Sequence, residues 1–196
     1  MFEKKSVIEF FDHYAPQWDA HMVTNEEILK IILERAGVSK GKRVLDVGCG
    51  TGVMIPRYLA RGASSVTAVD ISPKMAAIAK GKFSEENVRV LCADVETEIF
   101  PGNFDCIVMY NAFPHFPDPD RIVRILSDKL APGGILTVAH GSSRAVIDAH
   151  HDGRSREVSN GLMEAADLAA IFADYLEVTD IISDERMYLV AGKKKA

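Results

Sequence analysis

Cysteine is scarce in this chain, with three among 196 residues. Cys49, Cys92 and Cys106 make no Cys-x-x-Cys pair or other metal-like spacing. Each lies in or beside an apolar, strand-like segment, which predicts small buried thiols in a reducing compartment and excludes a disulfide-stapled fold. No apolar run approaches the ~20 residues of a membrane-spanning helix. Met1 leads straight into a charged amphipathic stretch, so no signal peptide is expected. A long basic stripe is missing too: the formal charge is −5, and the only basic run, Lys193-Lys194-Lys195, reads as a solvated tail. That balance excludes a dedicated nucleic-acid binder, whose affinity rests on phosphate neutralisation. The expectation is a cytoplasmic protein without nucleic-acid or membrane partners, a monomer or homodimer. With 47% hydrophobic content and no internal repeat, residues 1–196 suit one α/β domain, a helical cap over 1–40 and a core over 41–196.

What is present is concentrated in Val44-Leu45-Asp46-Val47-Gly48-Cys49-Gly50-Thr51-Gly52. A buried-strand pattern runs into a turn with three glycines spaced by two. Side chains there would obstruct a backbone that bends tightly while a ligand lies against it. A dinucleotide fingerprint has its third glycine three positions after the second, but here position 53 is Val. Eighteen residues after Gly52, the run Val66-Thr67-Ala68-Val69 ends in Asp70. A carboxylate at the end of a second strand can accept from both hydroxyls of a ribose. Ile71 and Met75 follow as apolar cover for a flat ring. A third strand, Val88 to Cys92, leads to Asp94 and Val95, and a fourth, Phe104 to Tyr110, ends at Asn111. Each strand thus ends in a polar residue at the same edge of the expected sheet, where open α/β sheets bind ligands.

The glycine run resembles motif I of the class I S-adenosylmethionine-dependent methyltransferases, of the small ubiquinone-biosynthesis-like (methyltransferase type 11) kind. The resemblance implies a Rossmann-like, seven-stranded, mostly parallel sheet with an antiparallel last strand and helices on both faces. It implies S-adenosylmethionine as cofactor, held by Gly48, Cys49, Gly50 and Gly52, by Asp70 at the ribose, and by Asp94 at the adenine amine. The backbone amide of Val95 would read a ring nitrogen. Asp46 is expected to orient the loop or reach the cationic amino group of the methionine moiety. Asn111 stands where some amino-group methyltransferases carry an Asn or Asp before Pro-Pro and an aromatic. This chain has Asn111-Ala112-Phe113-Pro114, a departure that weakens DNA-base or protein-amide methylation and leaves Asn111 a pocket residue without an assigned role.

The pattern along the chain agrees. A helical period over Val7, Ile8, Phe10, Phe11 and Tyr14 stops before Pro16, and a second helix spans Asn25 to Ala36, capped by Thr24 or Asn25 and ended by Gly37. Strands and helices then alternate: strand Arg43–Val47, helix 53–61, strand to Val69, helix 73–83, strand 88–92. This alternation means parallel strands with right-handed crossovers. A helix over 120–130, a turn at Ala131-Pro132-Gly133-Gly134 and a strand over 135–139 follow. After a helix over 163–172, the segments 176–182 and 187–191 are joined closely enough for an antiparallel hairpin.

Histidines supply the candidate chemistry. His115 follows the fourth strand and His140 ends the fifth. His140, Arg144, Asp148 and His151 form one polar stripe if the segment from Ser143 is helical, a pattern similar to that of a subset of small methyltransferases. In one reading a histidine, His140 first and His115 second, removes a proton from a hydroxyl or thiol. In the other, His115, His140 and His151 bind a divalent metal that orients and acidifies the acceptor. Tyr14 and Trp18 flank Pro16 at a bend and suit a lid over the cofactor. The expected activity is methyl transfer to a small-molecule acceptor. The alternatives are a metal-assisted methyltransferase and a non-catalytic S-adenosylmethionine-binding protein, with a nicotinamide oxidoreductase disfavoured by the glycine spacing.

Overall fold

In the computed structural model, which describes residues 2–150 and 157–195, the alternation closes into one seven-stranded sheet. Its strands are β1 (Arg43–Val47), β2 (Ser65–Asp70), β3 (Val88–Cys92), β4 (Phe104–Tyr110), β5 (Leu130–His140), β6 (Glu177–Ser183) and β7 (Tyr188–Lys193). The spatial order is β3-β2-β1-β4-β5-β7-β6. The first five strands run parallel, and β7 inserts antiparallel between β5 and β6. The winding reverses between β1 and β4, which opens a crevice at their C-terminal ends.

Period-two alternation sorts the strand residues onto two faces. Leu45, Val47, Ile107 and Met109 join one apolar cluster with the inner faces of α5 (Pro119–Asp128) and α7 (Ala165–Tyr175). Val44, Cys106 and Val108 join the other with α2 (Glu26–Arg35) and α3 (Ile55–Ala60). Ile28, Leu29, Ile32 and Leu33 make the buried stripe of α2, whose start is fixed by Asn25 Oδ1 accepting from the amides of Glu27 and Ile28. The first helix, α1 (Lys4–Tyr14), lies against α4 (Pro73–Lys82) and gives way to 3-10 turns at Ala15–Gln17 and Asp19–His21. A short α6 (Arg144–His150) follows β5. Among the described residues no helix is long and apolar enough to cross a membrane.

Four local expectations shift. Helix α3 begins at Ile55 because Gly52, at φ +90°, holds the preceding residues in turns. The expected turn at 131–134 lies inside β5 as an irregularity: Gly133 takes φ +73° and the register against β4 slips between Phe104 and Cys106. A Cβ on Gly134 would stand 2.9 Å from the Phe104 carbonyl oxygen, so only glycine allows that approach. Helix α7 runs from Ala165 to Tyr175, displaced toward the C-terminus from the expected 163–172. Cys92, expected to be buried, is exposed because β3 is an edge strand, whereas Cys49 and Cys106 are buried.

Phe172 is fully buried where α7 meets β7, and a Cβ on Gly192 would stand only 2.9 Å from its ring. Phe172→Ala is expected to cost about 3–5 kcal/mol with an unchanged urea m-value, read by equilibrium denaturation. A loss under about 1 kcal/mol would mean that this side chain does not anchor the α7 face.

Candidate functional site

The turn after β1 is built on the neighbouring strand. The amides of Gly48 and Cys49 both donate to the Val69 carbonyl, at 2.8 and 3.1 Å. Asp70 is bonded on both oxygens: Oδ2 accepts from the Gly50 amide and Oδ1 from the Ser72 amide, each at 2.8 Å. Gly48, Gly50 and Gly52 all take positive φ, yet each is glycine for a different reason. A Cβ on Gly48 would meet Ala112 at 2.6 Å, and one on Gly52 would meet the Phe83 ring at 2.5 Å. At Gly50 a Cβ would make only ordinary van der Waals contact, with Trp18 Nε1 at 3.9 Å, so no clash demands glycine there beyond its positive φ. Gly52 serves packing and does not line the cavity described next.

A cavity of about 720 Å³ lies along the C-terminal ends of the parallel strands. Gly48, Cys49 and Gly50 form its floor at β1. At the β2 and β3 end it is lined by Asp70, Ile71, Met75, Asp94 and Val95. At the β4 and β5 end it is lined by Asn111, His115 and His140, with Tyr14 and Trp18 contributed by the cap. Burial raises the Asp70 pKa above the ordinary carboxylate value, although the Ser72 and Gly50 amides favour its charge.

Asp46 is the one cofactor candidate besides Gly52 that does not line the cavity. Alternation along β1 turns it toward the α2 and α3 side, where Tyr58 is the polar neighbour, and it is only 2% exposed. Burial pushes its pKa up to about 7 against the effect of the Tyr58 hydroxyl, with the Asp70 charge adding to the rise. Neither Asp46 Oδ2 nor the Tyr58 hydroxyl makes a hydrogen bond of normal geometry.

The cap is tied to this edge by charged side chains that sequence reading did not single out. Asp12 accepts from the Ser72 hydroxyl at 2.5 Å and from the Lys74 amide at 3.0 Å. Asp19 accepts from the Thr51 hydroxyl and pairs with Lys82, both at 2.5 Å. Lys4 reaches Asp94 at 2.6 Å and the nearly buried Glu96 at 3.0 Å. Burial works against the Lys4 charge, but hydrogen bonds to the two carboxylates outweigh it and hold its pKa above the ordinary lysine value. The partners lie 32 to 92 positions apart, so no local pattern announces the ties.

At the other end Asn111 adopts φ +53°, and its Oδ1 accepts from the Gly141 amide at 3.0 Å, joining the ends of β4 and β5. His140 is buried beside the Tyr188 ring. His115 sits on a 3-10 turn, Phe113–His115, with Nδ1 2.9 Å from the Val158 carbonyl. The expected stripe on α6 divides. Arg144 and Asp148 do not line the cavity; they bind Glu164 and the backbone of Leu162 and pair with each other. His151 lies outside the described residues, and among those described no three His, Cys, Asp or Glu side chains are grouped to hold a metal.

Comparison with known proteins gives this geometry a context. Residues 44–134 match the methyltransferase domain family. Over 139 residues the chain is 30% identical to a malonyl-[acyl-carrier protein] O-methyltransferase of Acetivibrio thermocellus, covering 69% of this chain and 49% of the relative. Over 132 residues it is 34% identical to a ubiquinone biosynthesis O-methyltransferase of Xanthomonas campestris, covering 65% and 54%. The chain therefore spans about half the length of these relatives. Its fold matches that of the N-methyltransferase NodS from Bradyrhizobium japonicum in complex with S-adenosyl-L-homocysteine, with a TM-score of 0.66, 19% identity and 87% of each chain covered.

The buried Asp46 makes stability depend on pH in a stated direction. Its folded pKa is raised from 3.8 to about 7, so the folded state holds the extra proton between those values. Stability is lost as pH rises through that window, on the order of 4 kcal/mol when complete. Asp46→Asn is expected to be the more stable protein at pH 8, the difference shrinking as pH falls through that window and closing only near its lower end, read by urea denaturation across pH. An equal difference at pH 5 and pH 8 would reject the ionisation of Asp46 as its cause.

Proposed function

The chain belongs to the class I S-adenosylmethionine-dependent methyltransferases, and from that membership we propose that it transfers a methyl group from S-adenosylmethionine to a small-molecule acceptor. The observation that carries this reading is the cavity floored by the Gly48–Gly50 backbone and flanked on one sheet edge by the Asp70 and Asp94 carboxylates. When bound, the cofactor supplies a methyl group already activated as a sulfonium, with a neutral thioether as leaving group.

The residues present fit that group. Each Asp70 oxygen is used once by a backbone amide and keeps a lone pair for a ribose hydroxyl. Ile71 and Met75 offer apolar cover for adenine. Asp94 Oδ1 accepts from the Glu96 amide while Oδ2 faces Lys4, so an adenine amine would share this carboxylate with the Lys4 ammonium. The Val95 amide is the candidate reader of a ring nitrogen. Cys49 lines the floor as a buried thiol whose pKa burial pushes well up, so it serves as a small neutral wall. Asp46, turned away from the cavity toward Tyr58, is not proposed as a ligand. Of the expected 1–40 cap, residues 4–24 act as the lid, with Tyr14 and Trp18 excluding water, whereas α2 packs into the core against β1. His115 and His140, at the end of the cavity away from the carboxylates, are the candidate proton acceptors, and Asn111 shapes the wall between them.

S-adenosylhomocysteine is expected to bind the protein with micromolar affinity in isothermal titration. Asp70→Asn should weaken it by about tenfold or more, since a charged acceptor for two hydroxyls is lost. Absence of binding to the folded wild-type protein would overturn the reading.

A further inference from the structure

Resting on that reading, the ties that hold the cap bear on how the cofactor comes and goes. Residues 4–24 are tied to the core by polar contacts at three points, through Lys4, Asp12 and Asp19. Lys4 and both of its partners, Asp94 and Glu96, line the cavity, whereas Asp12, Asp19 and the groups they bind do not. A molecule in the cavity therefore meets the first tie and neither of the others. The position of that tie matters, because Lys4 opens α1 and reaches across to the loop after β3, which carries the candidate adenine readers Asp94 and Val95.

That loop holds its place without Lys4. Glu96 Oε2 lies 3.0 Å from Lys4 Nζ and 3.1 Å from Arg121 Nε on α5, and the Glu96 side chain is only 4% exposed. Two cations thus serve two carboxylates, and loss of Lys4 leaves Glu96 paired with Arg121 instead of stranding a buried charge. Asp94 Oδ1 accepts from the Glu96 amide at 3.0 Å, so the carboxylate keeps its orientation as well. The tie itself is accessible to water: the Lys4 side chain is 38% exposed and that of Asp94 24%. An ion pair so placed is screened by salt and controls a rate by a factor of a few, which suits a contact that opens and re-forms.

We propose that Lys4 is a latch on cofactor exchange: its ion pairs to Asp94 and Glu96 close the cap over the adenine end of the cavity, and breaking them is a step on the cofactor's path both in and out. Having two carboxylates lets the latch close in either state. Without cofactor Lys4 bridges Asp94 and Glu96; with adenine at Asp94 it keeps Glu96. A latch made in both states slows entry and release alike and leaves the affinity nearly unchanged, whereas a group that contacts only the bound cofactor changes release and affinity together.

The test is stopped-flow fluorescence with S-adenosylhomocysteine on the whole chain, read from Trp18, its single tryptophan, which lines the cavity. Lys4→Met is expected to raise the association and dissociation rates each by about three- to fivefold, with Kd held within about twofold. Lys4→Arg should keep the wild-type rates. Lys5→Met, which removes an exposed charge from the same helix, should keep them too. On the wild-type protein alone both rates should rise toward those of Lys4→Met near 1 M KCl, where the screening length is about 3 Å. Unchanged rates in Lys4→Met, a faster release matched by an equal loss of affinity, an equal acceleration by Lys5→Met, or salt-independent wild-type rates would each overturn the latch. Isothermal titration of the wild-type protein separates the two levels. Binding with any of those results rejects this inference alone, whereas no binding rejects the methyltransferase reading and this inference with it.

Discussion

The Asp70 carboxylate joins two crossover loops at one edge of the sheet. Through one oxygen it fixes the Gly50 amide of the β1 turn, and through the other the Ser72 amide that opens α4. Ser72 in turn caps α4, its Oγ accepting from the Met75 amide at 3.1 Å while its hydroxyl donates to Asp12 on α1. Asp12 thereby seats α1, and α1 carries Lys4 to Asp94 at the end of β3. The floor, the helix start and the lid are one connected hydrogen-bond network whose centre is a single buried side chain. Networks of this kind cost most when one member is removed, because each remaining polar group is left desolvated without its partner.

That network also explains why charge is concentrated at one end of the cavity. Lys4 pairs with the Asp94 and Glu96 carboxylates, and backbone amides hold Asp70, where β2 and β3 end. Across β1, aromatic and proline side chains replace them, beside Asn111, His115 and His140. The strand order places the two ends on opposite sides of the point where the winding reverses. A low-dielectric half beside a charged half lets a fixed dipole or base act with little screening by water.

Asp46 and Gly52 show how adjacency in sequence misleads. Both stand in the glycine-rich run, and both are expected there to serve a ligand. Alternation along β1 sends Asp46 to the face opposite Leu45 and Val47, toward Tyr58, while Gly52 is kept small by Phe83, a residue 31 positions away. Gly50 and Asp70 meet the expectation of position because their geometry follows from the turn itself. Lys4, Asp12 and Asp19 were illegible, since a charged residue on a helix or loop looks the same whether it faces water or a partner 30 or more residues away.

Sequence by itself determined the alternation of strands and helices, the tight turn after β1 and the polar residues at the strand ends. Those features are written in periodicity, glycine and proline placement and helix caps, all of which act within a few residues. It also determined the antiparallel ending, because the short connection between β6 and β7 leaves no room for a crossover. The tertiary structure alone decided which glycine faces the cavity, which carboxylates line it and which side chains tie the cap down. Each of those depends on a contact between residues far apart in the chain, and such contacts exist only after the sheet has brought the strand ends to one edge.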